Sequence, residues 1–206
     1  MRRALSIAAV AWLACGSAGA HRLDEYLQGT LVAIGRRQVD AEMTLTPGVA
    51  VFPAVMAAMD TDGDGMLSPA EQQAYARRVM GDLTLLVDGR AVTPRLGTVR
   101  FPDVEDMKEG RGEIRIAFTA GMPSSGGRRI LTIENRHLAA ISVYQVNALA
   151  PRDPDLKIEG QRRNYMQSRY EVEFAEPGGG KTKSLGVEAG LLAGWLLIVW
   201  GVRKKL

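Results

Sequence analysis

The chain has 206 residues, 46% of them hydrophobic and 24% charged. That balance fits one modest globular domain with accessories, and it excludes wholesale disorder, a collagen-like repeat and a polytopic transporter. The net charge of +3 and the pI near 9.2 describe the ends more than the middle. Residues 21–180 carry 19 Lys and Arg against 22 Asp and Glu, a net −3. No single-sign basic surface is available to nucleic acid, and that class of partner is set aside.

Residues 1–20 read as a secretory signal peptide. Arg2 and Arg3 form a basic start, Leu5 to Cys15 an apolar run too short to span, and Ala18-Gly19-Ala20 a small-x-small cleavage site. Cleavage there makes His21 the first mature residue. The single cysteine, Cys15, leaves with the peptide, so disulfides, thiol nucleophiles and thiolate metal sites are not expected.

Period-two alternation begins at Tyr26 and runs through Gln28, Thr30, Val32 and Ile34. After Gly35-Arg36-Arg37 it resumes at Val39, Ala41, Met43 and Leu45, which predicts a hairpin. Gly48 to Leu83 interrupts the strands. Val51, Phe52, Val55, Met56 and Met59 follow a helical spacing, with Pro53 tolerated in the first turn, and Ala74, Tyr75 and Val79 do the same after Pro69.

Between these two helices lies Asp60-Thr61-Asp62-Gly63-Asp64-Gly65-Met66-Leu67-Ser68-Pro69-Ala70-Glu71. Asp60, Asp62 and Asp64 stand at positions one, three and five of a twelve-residue loop. Gly65 stands at six, where a sharp turn needs a residue without a Cβ. Met66 offers a backbone carbonyl at seven, and Leu67 at eight faces the core. Ser68 at nine ligates directly or through water, and Glu71 at twelve binds with both oxygens. The pattern resembles an EF-hand calcium loop over residues 51–82. Four carboxylates within twelve residues repel one another until a hard divalent cation arrives. No second Asp-x-Asp-x-Asp-Gly follows, so a structural staple is expected in preference to a paired sensor.

Strands resume at Leu83 to Val87, where Asp88-Gly89 marks a hairpin turn. Ile114, Ile116 and Phe118 alternate with polar neighbours. Ser124 to Gly127 reads as a turn, and Ile130, Thr132 and Glu134 lie on the next strand. Ile141–Leu149, Leu156–Glu159 and Tyr170–Phe174 complete eight to nine short strands. Their number and spacing predict a mainly β chain: a β-sandwich over residues 21–176 with the helix–calcium loop–helix inserted, a fully antiparallel barrel being the alternative.

The mature His21 offers an α-amine and a ring nitrogen to Cu²⁺ or Ni²⁺. His137, the only other histidine, would complete such a site if the fold brought the two together. Tyr144, Asn147, Arg152, Asp153, Asp155, Arg163, Asn164 and Tyr165 form a polar, aromatic group along the late strands, readable as a binding face or as ordinary solvated residues. No Gly-x-Ser-x-Gly, P-loop or His-Glu-x-x-His appears, and no nucleophile–base pair is evident, so no enzyme activity is expected.

Residues 177–184 read as a glycine-rich tether. Leu185–Val202 is apolar apart from Glu188 and would span about 27 Å as a helix, close to the hydrocarbon core of a bilayer. Arg203-Lys204-Lys205, in a tail of residues 203–206, places that end in the cytoplasm and the domain outside it.

His21-Arg22-Leu23-Asp24-Glu25-Tyr26-Leu27-Gln28, Leu45-Thr46-Pro47-Gly48-Val49, Glu134-Asn135-Arg136-His137, and Val146-Asn147 leading to Pro151-Arg152-Asp153-Pro154 resemble the ectodomains of HupE/UreJ-like bacterial membrane proteins. The resemblance covers roughly residues 20–175. It implies a secreted β-sandwich fused to a multi-span membrane part linked with nickel or cobalt handling. Here only one span follows, so transport is not carried over. What is expected is an extracytoplasmic module of the bacterial envelope on a single anchor, accessory to another envelope or membrane protein.

Overall fold

The computed structural model describes residues 24–123 and 126–176. The expected signal peptide, His21, the expected tether and span, the tail of residues 203–206, and residues Ser124 and Ser125 of the expected turn lie outside them. Among the described residues no helix is long and apolar enough to cross a membrane.

The chain is mainly β, in two five-stranded sheets. It opens with β1 (Tyr26–Ile34) and β2 (Gln38–Pro47), then α1 (Phe52–Met59) and α2 (Pro69–Gly81). After these come β3 (Leu83–Val87), β4 (Arg90–Ala91), β5 (Pro94–Arg100) and α3 (Val104–Lys108). The rest is β6 (Ile114–Gly121), β7 (Gly127–Asn135), β8 (Ser142–Ala148), β9 (Lys157–Arg163) and β10 (Arg169–Glu176). One sheet has the order β5-β6-β2-β1-β8, the other β4-β3-β7-β10-β9.

Alternation explains which face of each strand goes inside. In β1, Tyr26, Gln28, Thr30, Val32 and Ile34 are buried, while Leu27 and Leu31 on the opposite face stay exposed. Met43 and Leu45 of β2, Ile116 and Phe118 of β6, Leu131 and Ile133 of β7, and Val172 and Phe174 of β10 join Tyr26, Val32 and Ile34 in one continuous hydrophobic cluster fed by both sheets. Val55 and Met59 of α1 and Tyr75 and Val79 of α2 belong to the same cluster, so the helices close the core rather than decorate it.

Two features depart from the expected strand set. β5 is a mostly exposed edge strand, irregular between Leu96 and Val99. With little to bury, its sequence has no apolar period to read. β8 runs parallel to β1, Tyr26 opposite Ser142 and Val32 opposite Ala148, which, with the two separate sheets, replaces the fully antiparallel barrel. The Asp88-Gly89 turn forms as expected. Both residues take positive φ (51° and 74°), the twist a two-residue hairpin needs. Its second strand has only two residues, however, and β3 takes β7 as its main antiparallel partner.

The strands define two ends. The start of β1, the end of β2, the start of β8, the start of β3 and the end of β7 meet at one of them, as Tyr26 pairs with Pro47 and Ser142 and Leu83 with Asn135. The helices sit at this end, between β2 and β3. At the other end Gly127 pairs with Glu176, where the described chain leaves β10.

Candidate metal centre

α1 has Pro53 in its first turn, where a missing N–H costs nothing, and ends where Asp60 turns extended. From there the loop is folded by its own carboxylates. Asp60 accepts from the Gly63 amide through Oδ1 (2.7 Å) and from the Gly65 amide through Oδ2 (2.9 Å). Asp62 Oδ1 accepts from the Asp64 amide at 3.2 Å, and Asp64 Oδ1 from the Met66 amide at 2.7 Å. Gly65 has φ +80°, a conformation an L side chain rarely adopts. Leu67 packs partly buried against the core and anchors the loop there.

α2 begins with a capping box. Ser68 Oγ accepts from the Glu71 amide at 3.3 Å, and the Ser68 amide donates back to Glu71 Oε2 at 3.0 Å. Thr61 adds its amide (2.6 Å) and hydroxyl (2.9 Å) to Glu71 Oε1, and the Ser68 hydroxyl adds a bond to Oε2 at 2.9 Å. These donors, the Thr61 amide foremost, pull the Glu71 carboxyl down to about 2.

Asp60, Asp62 and Glu71 each bring a carboxylate oxygen within 4.8 Å of the others, close enough to hold a metal ion. The Asp64 amide on its own would lower the Asp62 carboxyl. Desolvation and the neighbouring carboxylates of Asp64, Glu71 and Asp60 outweigh it, and the Asp62 carboxyl is raised from its ordinary value. An all-oxygen anionic donor set fits a hard divalent cation. Of the other expected ligands, Ser68 borders the triad as the helix cap. Asp64 Oδ1 accepts from the Met66 amide, and Asp64 is not among the three that converge; Met66 would offer only its backbone carbonyl.

His137 does something else. Its ring is 1% exposed and both nitrogens are engaged, Nδ1 with Asp82 Oδ2 at 2.7 Å and Nε2 with the Tyr75 hydroxyl at 2.9 Å. The Tyr75 hydroxyl also meets that of Tyr26 at 2.8 Å. The His137 carbonyl accepts from Gln28, Ser142 and Tyr144, and its amide donates to Asn135 Oδ1. Neither ring nitrogen is free to share a copper or nickel ion with His21, which lies outside the described residues. His137 is a hub tying α2 to both sheets. Its one signal in the sequence is the polar Gln28 at an inward position of a mostly apolar strand face.

The late polar group divides among separate tasks. Tyr144 serves the His137 carbonyl. Arg163 bonds the Val146 carbonyl and Asn147 and stacks 4.8 Å over the Tyr170 ring. Asp153 and Asp155 hold Arg36 at the β1–β2 turn. Asn164 closes the β9–β10 turn through Ser168 and the Arg169 amide, while Arg152 and Tyr165 face solvent. It is not one binding face.

The EF-hand and HupE/UreJ-like readings rest on the residues themselves: compared with family models, curated proteins and solved structures, the chain matches none.

Proposed function

We propose that this chain is a calcium-binding module of the bacterial envelope, a β-sandwich held outside the membrane by its C-terminal span. In this reading calcium is mainly structural, and the domain serves another envelope or membrane protein as an accessory, without catalysis of its own. The observation that carries it is the convergence of Asp60, Asp62 and Glu71 within 4.8 Å on a helix–loop–helix, at spacings that match a calcium loop. The resemblance of His21–Gln28 and Glu134–His137 to HupE/UreJ-like ectodomains supports the location and the accessory role.

The loop's present bonds set the strength of such a site. Glu71 already has two donors on each oxygen, so a cation must displace some of them, and Asp64 lies outside the converging triad and must be drawn in. Both favour the weak affinities of extracellular modules, about 10⁻⁴ to 10⁻³ M. At 10 mM Ca²⁺ such a site adds about 1.4–2.7 kcal/mol. The test is thermal unfolding of the full chain in Ca²⁺ and in chelator, for the wild type and Asp60→Ala. Calcium should raise the wild-type midpoint by several degrees and leave the variant unmoved. An equal midpoint in both conditions for the wild type would remove the calcium reading.

A further inference from the structure

One face of α2 joins two places that look unrelated in the sequence. At about 100° per residue, Glu71, Tyr75 and Asp82 fall within about 40° of one another around the helix axis. Glu71 sits in the first turn as a member of the acidic triad, Tyr75 lies one turn on, and Asp82 caps the C-terminus. Tyr75 and Asp82 hold the two nitrogens of His137. Through that ring and Tyr26 the helix reaches β1, and through the His137 main chain it reaches β8 and the end of β7.

We infer that α2 is a latch: a cation bound at Asp60, Asp62 and Glu71 is registered at the Tyr75–His137 hydrogen bond and tightens the seam between the two sheets. The inference rests on the calcium reading above and names how that site would act on the fold. To ligate, Glu71 gives up donors from Thr61 and Ser68, and the first turn of α2 moves with it. The helix is 13 residues long, with Tyr75, Ala76 and Val79 buried in the core. It therefore moves as a body, and the movement reaches the Tyr75 hydroxyl. The far side is equally constrained. Gln28 bridges Asn135 at 2.8 Å and Ser142 at 2.6 Å, and no buried side-chain polar atom among the described residues lacks a partner. A fully satisfied network has few alternative arrangements, so a small displacement of Tyr75 is resolved by a discrete change in its bonds.

The coupling is reciprocal: what the cation does to the Tyr75–His137 bond, that bond does to cation affinity. Tyr75→Phe removes the hydroxyl and should shift the calcium midpoint about fivefold or more. Tyr26→Phe leaves the Tyr75–His137 bond in place and should shift it much less.

The experiment is nitrogen-15 NMR of the full chain during a Ca²⁺ titration, following the Gly65 amide and the His137 ring nitrogens together. Gly65 reports the loop, because its N–H is bonded to Asp60 Oδ2. Shifts of Gly65 and of His137 Nε2 at one midpoint, both lost in Asp60→Ala, are the expected result. Gly65 shifting while the ring signals stay fixed would overturn the latch and leave calcium binding standing. No shift at Gly65 up to 10 mM would overturn the calcium reading and the latch with it. The wild-type measurement decides the matter even if Tyr75→Phe fails to fold.

Discussion

Asp82 Oδ2 lies 2.7 Å from His137 Nδ1, and this contact sets the state of the ring. A carboxylate can only accept, so Nδ1 carries the proton and Nε2 accepts from the Tyr75 hydroxyl. Tyr75 in turn accepts from Tyr26, and a chain of hydrogen bonds runs Tyr26 to Tyr75 to His137 to Asp82. A charged ring would require the chain to reverse, Tyr75 accepting from Nε2–H and turning its own proton to Tyr26, so the neutral ring is the form these bonds fit as they stand.

His137 therefore makes the fold sensitive to mild acid. Burial pushes its pKa down, with Asp82 pulling the other way. The unfolded chain takes up a proton near pH 6.5, its ordinary value, and the folded chain only at lower pH. The contribution is complete above about pH 6.5 and is lost progressively below it. Denaturant midpoints between pH 7.5 and 5 should fall for the wild type. His137→Gln should be less stable at pH 7.5, by about 1–3 kcal/mol for each buried partner left unpaired, and should give a flatter profile. Parallel profiles would mean that His137 does not titrate on unfolding.

Glu71 acts at the acid end. The Thr61 and Ser68 donors hold its carboxyl at about 2, against an ordinary 4.5. A depressed carboxyl stabilises the fold above its unfolded value, and the contribution disappears as pH falls through the folded one. In chelator, Glu71→Gln should lower the melting temperature at pH 7, and the gap to the wild type should close as pH approaches 2. A gap of constant size down to pH 2.5 would show that the carboxylate charge contributes nothing to the cap. Calcium should widen the gap at pH 7, since the variant loses a charged ligand as well as the cap.

The sequence was legible where burial imposes a period. β1, β2, β6 and β10 show it because one face of each is packed and the other is open. The loop was legible because ligand spacing follows from its turn geometry, which also places Gly65. β5 was not, since an exposed edge imposes no pattern, nor was α3, a single turn with only Met107 buried. The parallel pairing of β1 with β8 joins segments more than a hundred residues apart, beyond any local signal. The role of His137 was hidden for the same reason. Its partners Asp82, Tyr75, Asn135 and Gln28 meet only when two sheets and a helix end come together. Ser68 and Glu71 stand at ligand positions nine and twelve, yet Ser-Pro-Ala-Glu at the start of a helix is also a capping box, and the two roles share the same atoms.

Gly65 offers a test of loop geometry that does not depend on a cation. Its φ of +80° leaves open space where a Cβ would go, so Gly65→Ala meets no atom and suffers only from its backbone. The expected cost in chelator is about 1–2 kcal/mol. Gly65→Asn should cost less, because asparagine tolerates the left-handed region. Calcium affinity should fall in the same order, since the Gly65 amide positions Asp60. Equal stability of the alanine and asparagine variants would point away from backbone strain.

Arg129 is the most deeply buried charge at the opposite end. Its side chain is 1% exposed, and it donates to Asp88 Oδ2 through Nε (3.0 Å) and Nη2 (2.8 Å). Nη1 donates to the Pro123 carbonyl at 2.6 Å and to Glu176 Oε1 at 3.3 Å. One guanidinium thus ties the β3–β4 turn, the end of β6 and the last residue of β10. Arg129→Ala would leave the Pro123 carbonyl and the Glu176 carboxylate without their donor, at a cost of about 1–3 kcal/mol for each group left unpaired. Arg129→Lys restores the charge but not the fork. An ammonium cannot reproduce the paired bonds to Asp88 while also reaching Pro123 and Glu176, so lysine should recover only part of the loss. Because the guanidinium itself is buried, the part of the deficit that comes from its lost bonds to Pro123 and Glu176 should persist in 1 M salt, whereas the share from Asp88, 36% exposed, and from surface bridges such as Arg128–Glu159 is screened. Urea midpoints of the three proteins at low and high salt measure this, and a lysine variant as stable as the wild type would show that charge alone holds this end together.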